Sequence, residues 1–458
     1  MNSKQSHAFS FSIVIGLFFM WGFGTVMNDV LIPYLKGVFV LNHFQSMLVQ
    51  TAFFGAYFIG SVAYFIISAL GGDPINRIGY KNGIVIGLLI SALGCLLFYP
   101  AADLVSYGFF LAALFILGLG FTLLQIAANP YVSILGPEEQ ASSRLNLAQG
   151  FNSIGTTLSP FLGGYFIFKV FGGIEAGGAE AVKVPYLFLA GLFLLLALLI
   201  SFAHLPRFTS NYKPEKGIQA LKFRHLNLGI LAIFCYVGSE VSIGSIMVSY
   251  LGQEDIAGLS ESAASGYVSF YWGGLLIGRF LGSVSLSAMG KKQKLLLMTA
   301  IPVVAFVIIW LLQGPVIALT YGIFLIISLA GFYIGRSQPG KSLFIFALVA
   351  VVLLFITMSS QGHVAIWTLV GVGLFNSIMW SNIFTLAIKG LGKHTSQASS
   401  LLVMAIVGGA VFPAIQGAVA DVTSIQTSFL VPVAGFLYIA FYGINGSKLK
   451  SRAPAAEN

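Results

Sequence analysis

"LPRFTSNYKPEKGIQALKFRH" occupies residues 205–225 and is the longest polar stretch in the chain. It carries the basic residues Arg207, Lys213, Lys216, Lys222 and Arg224 against a single acid, Glu215. On both sides of it the sequence is nearly free of charge. Of the 458 residues, 57% are hydrophobic and 8% charged, whereas soluble domains carry about 25% charged residues. Before the stretch, apolar runs lie at about 10–35, 46–70, 83–101, 105–134, 143–170 and 185–205. After it they lie at about 228–251, 264–288, 295–313, 316–335, 342–360, 363–389, 396–420 and 427–445. Each is close to the ~20 residues that a helix needs to cross the hydrocarbon core. In lipid the backbone must satisfy its own hydrogen bonds, so only helices or a closed barrel can span. These runs are too long for barrel strands. The fold class is therefore an all-α polytopic membrane protein, with a linker at 206–227 between a bundle at 1–205 and a larger one at 228–458.

The basic residues orient the chain. With a cytoplasmic N-terminus, every Lys and Arg falls on the cytoplasmic side except Lys36, Lys169, Lys183 and the intramembrane Arg279. That is a strong positive-inside pattern, and it requires an even number of spans, fourteen, with both termini cytoplasmic. The net charge of +9 is explained by this bias. No basic face with interleaved aromatics points to nucleic acid. The first apolar run is too long for a cleaved signal peptide and reads as a retained span. Cys95 and Cys235 lie in apolar runs and are expected to be buried free thiols.

The two halves resemble each other. "WGFGTVMNDVLIPYL" (21–35) pairs with "YVGSEVSIGSIMVSYL" (236–251), "GAYFIGS" (55–61) with "GGLLIGRFLGS" (273–283), and "GLGFTLLQIAANP" (118–130) with "GVGLFNSIMWSNI" (371–383). Internal repeats of this kind mark secondary transporters, whose ligand site lies near the midplane at the repeat interface. In this register residues 291–340 are skipped. They read as an inserted two-helix hairpin beside two pseudo-symmetric six-helix bundles.

A charge at bilayer depth costs at least about 2.5 kcal/mol, and the acidic residues well inside spans are Asp29 and Glu240. Thr25, Asn28 and Asp29 share one helix face. Asp29 is either a structural carboxylate bonded to a neighbouring helix or a cation-linked one. Gln125 and Asn129 stand one turn apart before Pro130, and "RLNLAQGFNSIG" (144–155) repeats Asn146, Gln149 and Asn152 at every third position. One amide per membrane helix is often interhelical glue. Five on two adjacent helices suit a ligand rich in hydroxyls, because an amide both donates and accepts. In the second half Tyr236, Trp272, Asn376 and Trp380 are candidate substrate contacts, since an indole can stack on a pyranose ring, although aromatics also simply pack. Glu240 is either a structural group paired with Arg279 or a participant in transport. "GGDPINRIGYK" (71–81) is an orientation signal or a conformational latch through Asp73, Arg77 and Lys81.

At these motifs the sequence resembles a known family. "GGDPINRIGYK" resembles the loop motif of the major facilitator superfamily. "LLQIAANPYVSILGPEEQASSRLNLAQGFNSIG" (123–155) and the segment from "GLFNSIMWSNIF" to "QGAVAD" (373–421) are similar to the fucose:proton symporter family, in particular to its glucose/galactose transporter branch. The resemblance covers nearly the whole chain except the hairpin. It implies the major facilitator fold and monosaccharide uptake with a cation by alternating access. In the fucose transporter a first-helix Asp and a fourth-helix Glu act in proton coupling and sugar recognition. The Asp carries over to Asp29, but the Glu position holds Gln125, which cannot titrate. Asn76 stands where the superfamily loop usually has Asp.

The expected function is cation-coupled uptake of a hexose such as glucose or galactose. The candidate cation-coupling residues are Asp29, Asn28, Gln125 and Glu240. The candidate sugar residues are Asn28, Gln125, Asn129, Asn146, Gln149, Asn152, Tyr236, Trp272, Asn376 and Trp380. A single carboxylate among amide oxygens favours Na⁺ at Asp29, a hard cation that takes oxygen ligands, whereas the best-known family members favour H⁺. No cofactor and no other metal are expected. The expected partners are sugar, cation and lipid, with the chain acting as a monomer in a bacterial inner membrane. Competing readings are a membrane sugar sensor and an efflux carrier for amphipathic compounds. An enzyme is disfavoured by the lack of a nucleophile–base constellation, a metal cluster or a phosphate loop.

Overall fold

A computed structural model of the chain describes residues 3–41, 43–171, 178–203, 205–206 and 217–449. Residues 207–216 of the predicted linker and the C-terminal tail from 450 lie outside the described residues. The chain forms two compact units. One comprises Met1–Gly217 with Lys393–Met404, and the other Ile218–Gly392 with Ala405–Asn458.

The first unit is built from α1 (Ser3–Val38), α2 (His43–Gly71), the short α3 (Pro74–Ile78), α4 (Tyr80–Leu96), α5 (Phe98–Asp103), α6 (Tyr107–Ile134), α7 (Ala141–Gly164) and α8 (Lys183–Phe202). α1 packs along α7, α4 against α6 and α8, and α2 against α6. Small residues set the closeness of the α1–α7 seam, as is usual where membrane helices meet. A Cβ at Gly22 would sit 2.2 Å from the Asn152 carbonyl oxygen, and one at Gly155 2.2 Å from that of Phe19.

The second unit contains α9 (Arg224–Leu251), α10 (Glu261–Ser285), α11 (Lys291–Gln313), α12 (Pro315–Gly335), α13 (Pro339–Ser359), α14 (Gly362–Asn376) and α15 (Met379–Ile388). The chain then runs through α16 (Thr395–Met404), which belongs to the first unit, and returns as α17 (Gly408–Val422), α18 (Ile425–Ser428) and α19 (Leu430–Phe441). Within the second unit α9 packs on α17, α10 on α14, and α13 on α14 and α19. These pairs repeat the first unit's α1–α7, α2–α6, α4–α6 and α4–α8 in the same chain order. α11 packs on α12 and α10, and α12 also touches α13 and α14. The outward faces of α11 and α12 are apolar, with Leu295, Leu311, Leu312, Leu319 and Ile326 exposed.

Among the described residues, twelve helical stretches are long and apolar enough to cross a membrane. The predicted spans at 143–170 and 264–288 correspond to α7 and α10, which fall outside that count. Both helices form, but their amides, hydroxyls and glycines dilute the hydropathy. Cys95 and Cys235 are buried free thiols, as expected.

Candidate functional site

In the first unit, four helices bring amides and hydroxyls together. Gln125, Asn129, Asn146 and Gln149 are all buried, at 5%, 0%, 0% and 4% exposure. Asn129 Nδ2 donates to the Gln125 carbonyl at 3.2 Å, and Gln149 Nε2 donates to Asn129 Oδ1 at 3.4 Å, joining α6 to α7. Two residues that the sequence reading did not select complete the set. Trp21 Nε1 donates to Tyr57 Oη at 3.3 Å, and the side chains of Gln125 and Thr25 lie near the same hydroxyl. A phenol on α2 thus bonds α1 close to Gln125 of α6. The signal for Trp21 was its spacing, one turn before Thr25 and two before Asp29. Asn28 and Asp29 lie within α1, and their side chains are outside the described residues.

Two of the predicted amides make structural bonds. Asn152 Nδ2 donates to the Phe18 carbonyl at 3.0 Å, clamping α7 to α1 at Gly22. Asn146 Nδ2 donates to the Ser142 carbonyl one turn back at 2.8 Å. Elsewhere in this unit a cavity of about 360 Å³ opens between α1, α7 and α8. Its walls are apolar, including Phe23, Met27, Leu162 and Phe188, and among the described residues none of the predicted sugar or cation side chains lines it.

The second unit holds a chain of buried groups. Tyr236 Oη donates to Glu240 Oε1 at 2.5 Å, and Arg279 acts on that carboxyl electrostatically. Tyr271 Oη donates to the Glu240 carbonyl at 3.0 Å and accepts from Asn376 Nδ2 at 2.8 Å. The α10–α14 approach that allows this is backbone-close, since a Cβ at Gly373 would lie 2.1 Å from the Tyr271 carbonyl. Trp380 is also buried, with its ring 6.1 Å from that of Phe384. Trp272 is 42% exposed and sits at the edge of this chain, its ring edge-on to that of Tyr271 at 5.3 Å.

The latch residues gather at the α2–α3 turn. The Asp73 carboxylate caps α3 by accepting from Ile75 N at 3.0 Å, and it also accepts from the hydroxyls of Tyr64 and Ser396, each at 2.5 Å. Burial pushes this carboxyl above its ordinary value, and the three hydrogen bonds oppose the rise. Asn76 Nδ2 donates to the Lys393 carbonyl at 2.7 Å, a bond that an Asp in its place cannot make. Gln397 Nε2 reaches Ser68 Oγ and the Gly217 carbonyl. Arg77 bonds the Gly71 carbonyl, and Lys81 Nζ bonds the Ser201 and Ala203 carbonyls at the C-terminal end of α8, where a cation suits the helix dipole. Sequence reasoning missed Ser396 and Gln397, whose partners Asp73 and Ser68 lie more than 300 positions away.

Comparison with known proteins fixes the family. Residues 13–340 match the model of the Major Facilitator Superfamily. The chain belongs to this superfamily. Within it, the chain is 44% identical over 451 residues to a glucose/galactose transporter of Brucella abortus, covering 98% of this chain and 96% of that one. It is 31% identical over 464 residues to the L-fucose-proton symporter of Escherichia coli, covering 96% and 93%. The crystal structure of the E. coli fucose:proton symporter superposes with a TM-score of 0.76 at 29% identity, covering 97% of this chain and all of that one. The protein is thus a multi-pass major facilitator of the fucose:proton symporter family, in its glucose/galactose transporter branch, and a transporter rather than an enzyme.

Proposed function

We propose that this major facilitator takes up a hexose of the glucose or galactose type together with a cation, by alternating access across a bacterial inner membrane. The observation that carries the reading is the buried, uncharged hydrogen-bonding set of Trp21, Tyr57, Gln125, Asn129 and Gln149, drawn from four helices of one bundle. Such a set matches a neutral polyol, which both donates and accepts, better than an amphipathic drug or an anion. The relatives named as glucose/galactose transporters support the same substrate class.

Asp29, one turn beyond Thr25 in α1, is assigned the cation. The neutral Gln125 favours Na⁺ there, because a lone carboxylate among amide oxygens suits a hard cation. The relative named an L-fucose-proton symporter favours H⁺. Asn28, Asn146, Asn152, Tyr236, Trp272, Asn376 and Trp380 complete the proposed sugar contacts, and Glu240 is a second carboxyl for coupling. Asp73, Arg77 and Lys81 serve the latch, joined by Asn76 and Ser396.

Counting α7 and α10 with the twelve apolar stretches gives fourteen spans and keeps both termini cytoplasmic. The proposed division is a six-helix bundle at 1–205, a linker at 206–227 and a bundle at 228–458 with the hairpin at 291–340. The packing of α13 on α14 and α19, which parallels α4 on α6 and α8, supports α11–α12 as the inserted pair.

The test is uptake of radiolabelled glucose and galactose into proteoliposomes with Na⁺ and pH gradients imposed separately. Accumulation driven by the Na⁺ gradient at fixed pH is the expected result. Accumulation under the pH gradient alone moves the assignment at Asp29 to H⁺. Absence of hexose uptake under either gradient overturns the reading.

A further inference from the structure

This inference rests on the hexose reading and adds what the second unit recognises on the sugar. We propose that the break between α14 and α15 holds a fixed acceptor–donor pair, Asn376 Oδ1 and Trp380 Nε1, that requires one sugar hydroxyl to donate and another to accept. Tyr271 is the positioning residue that sets this polarity.

One proton sets the polarity. The Tyr271 hydroxyl has a single hydrogen, and it is committed to the Glu240 carbonyl at 3.0 Å. Towards Asn376 the same oxygen can therefore only accept. The amide must turn its nitrogen to it, as the 2.8 Å bond from Nδ2 records. The opposite orientation would set two lone pairs against each other. Asn376 Oδ1 is thereby aimed away from Tyr271, and it finds no hydrogen-bond partner although the residue is fully buried.

One turn later Trp380 repeats the pattern with the opposite sign. Its Nε1–H can only donate, it is 7% exposed, and it too has no partner. Ser381 Oγ, the next residue along, is buried and unpartnered as well. Between the two positions the helical hydrogen-bond ladder is interrupted at Ser377 and Ile378, which keep right-handed helical backbone angles. Buried polar groups in native proteins are nearly always satisfied, so a cluster of exceptions calls for a ligand. The region is otherwise rigid: α14 packs backbone-close on α10, and the Trp380 ring is steadied by Phe384. An acceptor and a donor held about one helical turn apart address two different ring positions of one pyranose.

The experiment measures inhibition of hexose counterflow in proteoliposomes by the full sets of monodeoxy and monodeoxyfluoro analogues of the transported hexose. A C–F group accepts weakly and cannot donate. At the position that donates to Asn376 Oδ1, both analogues lose about tenfold in affinity, the scale of one hydrogen bond. At the position that accepts from Trp380 Nε1, the deoxy analogue loses about tenfold and the fluoro analogue loses less. Tyr271→Phe frees the amide to turn over, so the fluoro penalty at the first position shrinks. Trp380→Phe erases the deoxy–fluoro difference at the second. A general loss of fold would weaken all analogues alike and would leave the pattern intact. If both variants keep the wild-type pattern of penalties, the inference is wrong and the hexose reading stands. If the wild-type protein transports no hexose, the hexose reading falls and this inference falls with it.

Discussion

Alanine at Gly22 should loosen the α1–α7 seam. The added Cβ would meet the Asn152 carbonyl oxygen at 2.2 Å and its Nδ2 at 2.8 Å, where ordinary contacts are about 3.5 Å or more. The two helices must part by about 1 Å. Overpacking of that kind costs about 1–3 kcal/mol, and the Asn152–Phe18 hydrogen bond at 3.0 Å is weakened with it, for about 1 kcal/mol more. The same helix supplies its own control, since a Cβ at Gly16 meets nothing within 4 Å. Gly16→Ala should be neutral or stabilising by up to about 1 kcal/mol. Gly155→Ala should behave like Gly22→Ala, because its Cβ faces the Phe19 carbonyl at 2.2 Å. Apparent melting temperature in detergent, followed by size-exclusion chromatography of heated samples, ranks the three variants. The expected order is Gly22 and Gly155 variants several degrees below wild type, with the Gly16 variant at or above it. Equal stability of the Gly16 and Gly22 variants would refute the seam, and with it the placement of Trp21 and Thr25 beside the α6–α7 amides.

Two further outcomes follow from the loops. Burial raises the Asp73 carboxyl in the folded state. Its contribution to stability is therefore fully present below the ordinary carboxylate range and is lost as pH rises through the raised value. Asp73→Asn should remove that pH dependence, so that melting curves of variant and wild type converge at low pH and diverge as pH rises from about 4. A constant offset at every pH would contradict this. A single cysteine at Gly314, between α11 and α12, should react with an impermeant maleimide from the outside of intact cells, in a background lacking Cys95 and Cys235. Labelling only after permeabilisation would contradict the fourteen-span topology.

The apolar runs made the helices legible, because period and length alone identify a span. Other features depend on distant partners. The interruption of the helical ladder at Ser377 and Ile378 contains neither Pro nor Gly, and within it the Ser377 hydroxyl donates to the Leu374 carbonyl at 2.7 Å. The docking of Lys393–Met404 into the first unit rests on Ser396 and Asn76, which carry no local signal. Tyr57 reads as a packing residue in a chain that is 14% aromatic, and only the hydrogen bond it takes from Trp21 sets it apart. The amides of α6 and α7 were legible in advance, because a span seldom tolerates several amides unless something pairs with them. Their division into ligand-type contacts and the structural clamp at Asn152 needed the fold.

The most direct measurement is a comparison of wild type and Asp29→Asn in two modes of the same proteoliposome assay, concentrative hexose uptake and hexose counterflow. The account predicts that the variant loses gradient-driven accumulation and retains counterflow, since the sugar groups on α6 and α7 are untouched while the cation site is neutralised. Full uphill accumulation by Asp29→Asn would contradict the claim that this residue ties the cation to the sugar.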